Sequence, residues 1–327
     1  MWSDKALRSV TGAIAVAFAF LATAPSQAQS PAWPDRPVKV IMPYAPGGAG
    51  DAIARPWAEK LTQAFGQPFV VENRGGASGT IGVEAAVKSA PDGYTLLITP
   101  NSAIAIVPSL RKVPYDAATQ LDPIARVGDV IGGFVVHPSV GVKTMAELIA
   151  YAKANPGKLS YGSAGLGTST QLRLEILKLR AGINILHIPY RGSGDALNDL
   201  LPGNVQMMNE IVVFPHVKAG RLVLLAVNHH QRHWDFPDVP TLREAGIENA
   251  EVPIWFAMWA PSGTPKEIIR RLNAKVVEIA KSDDMTARMR ALSVVVPVQS
   301  PEELGQHLIA DIKLNLEVIK AADIKIE

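Results

Sequence analysis

Five short runs rich in glycine, serine and threonine punctuate the chain: PGGAGD (46–51), GGASGT (75–80), TPNS (99–102), SAGLGTST (163–170) and RGSGD (191–195). Glycine lets a tight turn form and leaves backbone N–H groups uncovered, and serine and threonine add hydroxyls. Most of these runs lead into a helical pattern, where the first-turn N–H groups lack intrahelical acceptors and the helix dipole favours negative charge. The chemistry they can do is to hold an anion, and a carboxylate suits such a lining. The competing reading is that each is a plain structural turn.

The elements that would position these turns alternate strand and helix. VKVIM (38–42) is followed by AIARPWAEKLTQAFG, with Ile53, Trp57, Leu61 and Phe65 on one stripe and Asp51 as its expected cap. FVVE leads to TIGVEAAVKSA, YTLLIT (94–99) to NSAIAIVPSL, KLSYG to TSTQLRLEILKLRAG, and ILHIPY to SGDALNDLL; VQMM and LVLLAVN read as further strands. The pattern predicts an α/β fold with mostly parallel sheets flanked by helices. Thr144 with Glu147, Thr264 with Glu267, and Ser300 with Glu303 have capping-box spacing, with Pro265 and Pro301 at first helical positions. Leu304, Leu308, Ile312, Leu316 and Ile319 form the expected packing face of the last helix. Pro56 predicts a late start or a kink in the first helix.

Two β-rich stretches, 122–138 and 250–261, read as crossovers between two lobes: residues 29–130 plus 252–327 form one domain and 131–251 the other. Two strands passing between α/β lobes make a hinge beside a cleft, and ligands of open α/β sheets sit at the carboxyl ends of strands, where the five turns lie.

Composition narrows the function. Residues 1–28 read as a cleaved export signal: Lys5 and Arg8, then the apolar VTGAIAVAFAFLATA, then SQA. That leaves roughly 300 residues, suited to two medium domains. A net charge of +2 over 327 residues argues against nucleic acid. With no cysteine there is no disulfide or thiolate metal site. GLGTST lacks the third glycine and the following acidic residue of a dinucleotide site, there is no GxxxxGK[ST] loop, and Ser163 and Ser193 lack the GxSxG frame, so an enzyme, nucleotide-dependent or hydrolytic, is disfavoured. NHHQRH places His229 and His233 four apart beside His230, but Pro237 and Pro240 follow, so a loop is expected rather than a metal helix. Arg74 could pair a ligand carboxylate or bridge to Glu72. Trp255, Phe256 and Trp259 could pack a hinge or line the cleft.

Taken in order, WPDRPVKVIMPYAPGGAGDAIAR, GQPFVVENRGGASGTIG, APDGYTLLIT, KLSYGSAGLGTSTQL, IPYRGSGDALNDLL and VKAGRLVLLAV resemble the extracytoplasmic solute receptors of tripartite tricarboxylate transporters, the Bug-type (TctC) proteins. The resemblance spans the chain after the leader. It implies a two-lobed, type II-like periplasmic binding fold that closes on a small mono- or dicarboxylate, aliphatic or aromatic, and delivers it to membrane permease subunits. It also implies a periplasmic monomer with no cofactor, metal or turnover. A sensor that presents the same ligand to a signalling protein is the alternative. The residues it implicates are Tyr44, Pro46, Gly47, Gly48, Ala49 and Gly50; Asn101 and Ser102; Ser163, Ala164, Gly165, Thr168 and Ser169; and Arg191, Gly192 and Ser193. Ser78 joins them from the second glycine-rich turn. Glu210 stands where an aspartate is usual, Gln171 where a histidine is, and Ile104 and Val107 where a histidine and an asparagine are common. Losing those polar groups suggests a less polar ligand body, unless Ile104 and Val107 pack in the core.

Overall fold

The computed structural model describes residues 33–229, 231–248, 250 and 253–321; the leader expected over 1–28, and His230, lie outside the described residues. The chain opens with β1 (Val38–Met42), α1 (Ala49–Phe65), β2 (Phe69–Asn73), α2 (Thr80–Val87) and β3 (Thr95–Pro100). A π-helical stretch, Ser102–Ile106, leads into α3 (Val107–Leu110), α4 (Ala117–Gln120) and β4 (Leu121–Val130). Next come β5 (Gly132–Val136), α5 (Met145–Ala154), β6 (Ser160–Ser163), α6 (Ser169–Ala181), β7 (Leu186–Pro189), α7 (Ser193–Leu200), β8 (Met207–Glu210), α8 (Phe214–Lys218) and β9 (Val223–Asn228). The chain then continues through β10 (Ile254–Pro261), α9 (Lys266–Ala280), α10 (Asp283–Ala291), β11 (Val294–Val295) and α11 (Pro301–Ala321).

These strands make two sheets, ordered β11-β4-β10-β3-β1-β2 and β7-β6-β8-β5-β9. Both are mixed. The βα units pair in parallel, β1 with β2 and β3, and β6 with β7 and β8. Every antiparallel pairing involves β4, β5 or β10. The long β-rich stretches that carry the chain between sheets thus supply the antiparallel character, because they enter each sheet from the opposite end. A single residue, Ile131, separates β4 in the first sheet from β5 in the second, and its N–H donates to Ser293 O at 2.9 Å.

Each sheet has its own apolar core. Ile41, Leu97, Trp255, Ala257, Trp259, Leu304 and Leu308 belong to the first. Phe134, Tyr161, Leu172, Leu177 and Met207 belong to the second, where Ile106 and Ile319 join them. The last helix therefore contributes to both cores.

Helix α1 starts at Ala49 with Gly48 as N-cap, so Asp51 is its third residue and not its cap. Asp51 Oδ2 instead accepts the Gly47 N–H at 3.1 Å, just ahead of the cap. The helix runs through Pro56, which forgoes one backbone bond, and Ile53, Trp57 and Leu61 are fully buried beneath it. It ends at Gly66, whose φ of 71° only glycine adopts at little cost. Thr144 and Ser300 accept the N–H groups of Glu147 and Glu303 as their spacing predicts. Thr264 does not cap: its hydroxyl donates to Pro261 O, Pro265 is the N-cap of α9, and no side chain caps that helix. Along α11 the buried stripe is Leu304, Leu308, Asp311, Asn315 and Ile319, while Leu316 is exposed. At about 100° per residue, stepping by four drifts off the face, and the stripe returns at the seventh and eleventh positions instead.

Candidate functional site

A cleft of about 410 Å³, counting space open to solvent, lies between the two sheets and is lined from both. Three helix N-termini meet in it. Gly48, Ala49 and Gly50 bring the start of α1; Thr168, Ser169 and Thr170 that of α6; Ser193 that of α7. Tyr44, Ala45, Pro100, Ser102, Ala164, Glu210, Ile254 and Phe256 complete the wall. No lysine, arginine or histidine lines it among the described residues, so first-turn N–H groups, hydroxyls and dipoles are what an anion would meet.

Local sequence explains how each N-terminus is held open. The turn into α1 is glycine because space is short. A Cβ on Gly50 would sit 2.6 Å from Met42 Sδ, and one on Gly48 would sit 3.1 Å from Ser193 Oγ. Ala49 N–H donates to Ser193 Oγ at 3.3 Å, joining the two sides across the cleft. Burial alone would raise the Asp51 carboxyl, but hydrogen bonds from Arg55 and Gly47 outweigh it and hold the pKa below the ordinary range. The loop before α6 is instead knitted by side chains. Thr168 caps the helix and donates to Gly165 O at 2.7 Å; Thr170 Oγ1 accepts the Ala164 N–H at 3.0 Å; Gln171 Oε1 accepts the Gly167 N–H at 2.6 Å. Gln171 thus organises the loop and does not line the cleft.

The other implicated residues divide in two. Tyr44 and Ser102 share a hydrogen bond of 3.2 Å on the wall, and Tyr44 also donates to Ser78 O; burial raises the phenol's pKa well above its ordinary value. Pro46, Gly47, Ser78, Asn101, Ser163, Gly165, Arg191 and Gly192 do not line this cleft. Pro46, Gly47 and Arg191 are exposed. Asn101 is fully buried; its amide donates to Asp311 Oδ2 at 2.9 Å and to Pro253 O, and its Oδ1 accepts from Ser169 Oγ at 3.3 Å. It links the last helix to the start of α6 from behind the wall. Ser163 is fully buried and shares a 2.6 Å hydrogen bond with His187 Nε2, while its Oγ accepts the Gly165 N–H at 3.1 Å. Ser78 and Gly192 stand where residues of the two sheets approach each other. Ser78 Oγ lies 3.1 Å from where a Gly165 Cβ would be, and a Gly192 Cβ would lie 3.5 Å from Ala45 Cβ.

Glu210, at the end of β8, is both cleft-lining and buried. Desolvation raises its pKa, against the Ile211 N–H, which donates to Oε2 at 2.7 Å, the Arg173 charge and a hydrogen bond with Ser193. Arg173 lies fully buried behind it, donating to Asn209 Oδ1 at 2.9 Å; burial lowers its pKa to about 9, and the Glu210 charge works the other way. Gly132 leaves the room that the guanidinium fills.

Several features were not legible as a site. Ile254 lines the cleft with no sequence signal pointing to it alone; Ala45, Pro100 and Thr170 line it from the marked turns without being named individually, and of the three aromatics offered for hinge or cleft only Phe256 lines it. The available signal was alternation along β10: Ile254 and Phe256 face the cleft, Trp255 and Trp259 the first core. Ile104 and Val107 are buried away from the lining, Ile104 in the core with Trp255, so they say nothing about ligand polarity. Arg74 bridges to Glu72. His233 is buried against Ser293 at 2.7 Å, His229 lies in the loop after β9, and no metal-ligating group of three forms among the described residues. No helix among them is long and apolar enough to cross a membrane.

The tripartite tricarboxylate transporter family receptor model matches residues 53–311. The chain belongs to this family. BugT of Bordetella pertussis is 36% identical over 98% of this chain and 100% of its own length. The structure of the periplasmic binding protein BugD superposes with a TM-score of 0.86 at 34% identity, covering 90% of this chain and 99% of that one. The R. palustris protein Rpa4515, solved with adipate, does so at 0.87 and 35%, covering 90% and 99%. The α/β architecture of two helix-flanked sheets is therefore that of periplasmic binding proteins of this receptor family.

Proposed function

We propose that this chain is an extracytoplasmic receptor that binds a small aliphatic dicarboxylate between its two lobes, closes on it, and delivers it unchanged to a membrane permease. The lobes are 29–130 with 252–327, and 131–251. The observation that carries the reading is the convergence of three helix N-termini, from both sheets, on a cleft without a basic side chain. Such a lining suits a carboxylate, whose charge the N–H groups and dipoles meet directly. Ile254, Phe256 and Pro100 offer apolar surface to a short methylene body. The adipate bound by a 35% identical relative has that shape. Periplasmic residence and permease delivery follow from the family's role, and Glu210, Ser102, Ser169 and Ser193 are the side chains proposed to face the ligand.

The test is a thermal-shift panel of adipate, shorter hydroxy-diacids, citrate and terephthalate, with neutral diols as controls. A diacid at a hundredfold excess over its Kd should add about 2.7 kcal/mol to folding stability and raise the Tm accordingly. Stabilisation by the diols but by no carboxylate would overturn the reading. Permease delivery is checked separately, by loss of whole-cell uptake of the same diacid when the gene is deleted.

A further inference from the structure

The cleft wall presents one buried carboxylate, Glu210, to a ligand that is itself an anion, and behind that carboxylate stands one buried guanidinium, Arg173. We infer that the cleft takes up a proton with its carboxylate ligand, and that the proton is held on Glu210. This rests on the carboxylate reading above and deepens it.

The inference follows from counting charge around Glu210. From α6, Arg173 is the charged group that faces it. From α7 comes Ser193, a hydroxyl, since Asp195 is exposed. From β5, Gly133 stands in register with Glu210 and brings no side chain. From β6, the Tyr161 hydroxyl is turned to Glu175 at 2.5 Å. Across the cleft, Tyr44 is a neutral phenol. With the cleft empty and Glu210 ionised, one anion therefore balances one cation. A ligand carboxylate makes two anions against one cation, in a site whose walls exclude water when the lobes close. Like charges at one buried site raise the pKa of one of them, and Glu210 starts with its pKa already raised by desolvation. Protonation restores the balance and turns Glu210 from a repelling acceptor into a hydroxyl donor, which the ligand oxygen can accept. The proton comes from solvent on binding and returns to solvent on release; no bond to carbon forms or breaks.

The arrangement also selects. A neutral Glu210 favours a proton-accepting carboxylate end on the ligand. An ionised Glu210 would instead favour an ammonium or hydroxyl at that end.

The test is calorimetric titration of the full chain with adipate between pH 6 and 8.5, in buffers of different ionisation enthalpy. The dependence of the observed heat on the buffer counts the protons taken up. The wild type should take up close to one proton per adipate at the pH where free Glu210 is ionised, and its affinity should fall as much as tenfold per pH unit there. Glu210→Gln, which keeps the size and neutrality of the protonated acid, should bind adipate with no uptake and with affinity flat in pH. Adipate binding to the wild type without proton uptake at any pH would overturn the inference and leave the carboxylate reading standing, whether or not the variant folds. Uptake that persists in Glu210→Gln would overturn the assignment to Glu210. If adipate and the other diacids bind at no pH, the carboxylate reading itself fails and takes this inference with it.

Discussion

On the first sheet, the turn from Tyr44 to Gly50 reaches the cleft as nearly bare backbone; on the second, the loop from Ser163 to Thr170 reaches it as a lattice of hydroxyls. The first wall depends on missing side chains. Gly50 is pressed against Met42 and Phe256, and Gly48 against Ser193. The second wall depends on side chains present: Thr168, Thr170, Gln171 and Ser163 each hold a backbone group of their own loop. The two walls should fail in opposite ways, the first when atoms are added and the second when they are removed.

The largest effect is expected where both lobes approach without side chains. A Cβ on Gly194 would lie 3.2 Å from Gly47 C and O and 3.3 Å from Gly48 N, all backbone that has no rotamer to change. Gly194→Ala should therefore disfavour the closed form and leave an open one unharmed. Overpacking of this kind costs about 1–3 kcal/mol, so adipate affinity should fall roughly ten- to hundredfold while the ligand-free Tm stays within a degree or two. Isothermal titration and melting curves on the same sample decide it; an equal loss of Tm without ligand would show that the contact is plain core packing.

Thr168→Ala probes the other wall. It removes the cap of α6 and the bond to Gly165 O together. About 1 kcal/mol of stability should go, with a comparable few-fold loss of affinity as the loop loosens. Here the ligand-free Tm should move, unlike that of Gly194→Ala, and an unchanged Tm would break the contrast between the walls.

The walls should also differ in acid. Burial lowers the pKa of His187, which shares a hydrogen bond with Ser163 on the second wall, to about 4. A folded-state pKa below the unfolded one means that the unfolded chain binds the proton more readily. The contribution to stability is then complete above the unfolded value of about 6.5 and is lost as pH falls toward 4. Amide hydrogen exchange should show the 163–170 loop opening more readily over that window. The 44–50 turn, which carries no histidine, should keep its protection; equal loss in both would erase the distinction.

The smallest effect belongs to Arg191. The family resemblance implicates it in the site, but it is exposed and off the cleft wall. Arg191→Ala should change adipate affinity less than about twofold, with an unaltered salt dependence, since an exposed charge is worth little. A clear loss of affinity at low salt would reinstate a charged grip on the second wall.

How much of this could be read in advance follows the same physics. The turns were legible because glycine, serine and threonine before a helical pattern have few uses, and three of the five supply the converging N-termini. The antiparallel strands were not, because apolar β-rich stretches carry no mark of direction; the pairings of β4, β5 and β10 reveal it. Asn101 and Ser163 sit in the right turns but point behind the wall, toward Asp311 and His187, and a turn's sequence does not say which way its side chains face. Leu316 looked buried because a four-residue step approximates a helical face only over short distances. Glu210 was visible only as an acid at a strand end; its burial against Arg173 depends on the emptiness of Gly132, which lies far away in sequence.

In the function proposed above, the grip on the anion comes largely from main-chain N–H groups, and that has a bearing on heredity. Every residue except proline carries such a group, so most substitutions on the cleft floor cannot delete the anchor; they can only crowd it. Ile254 and Phe256, by contrast, present ordinary side chains on one face of β10 and can be exchanged while Trp255 and Trp259 keep the strand rooted on the other. A lineage of such receptors can therefore drift from one cargo to another by altering that single strand face, with the carboxylate anchor passed on intact.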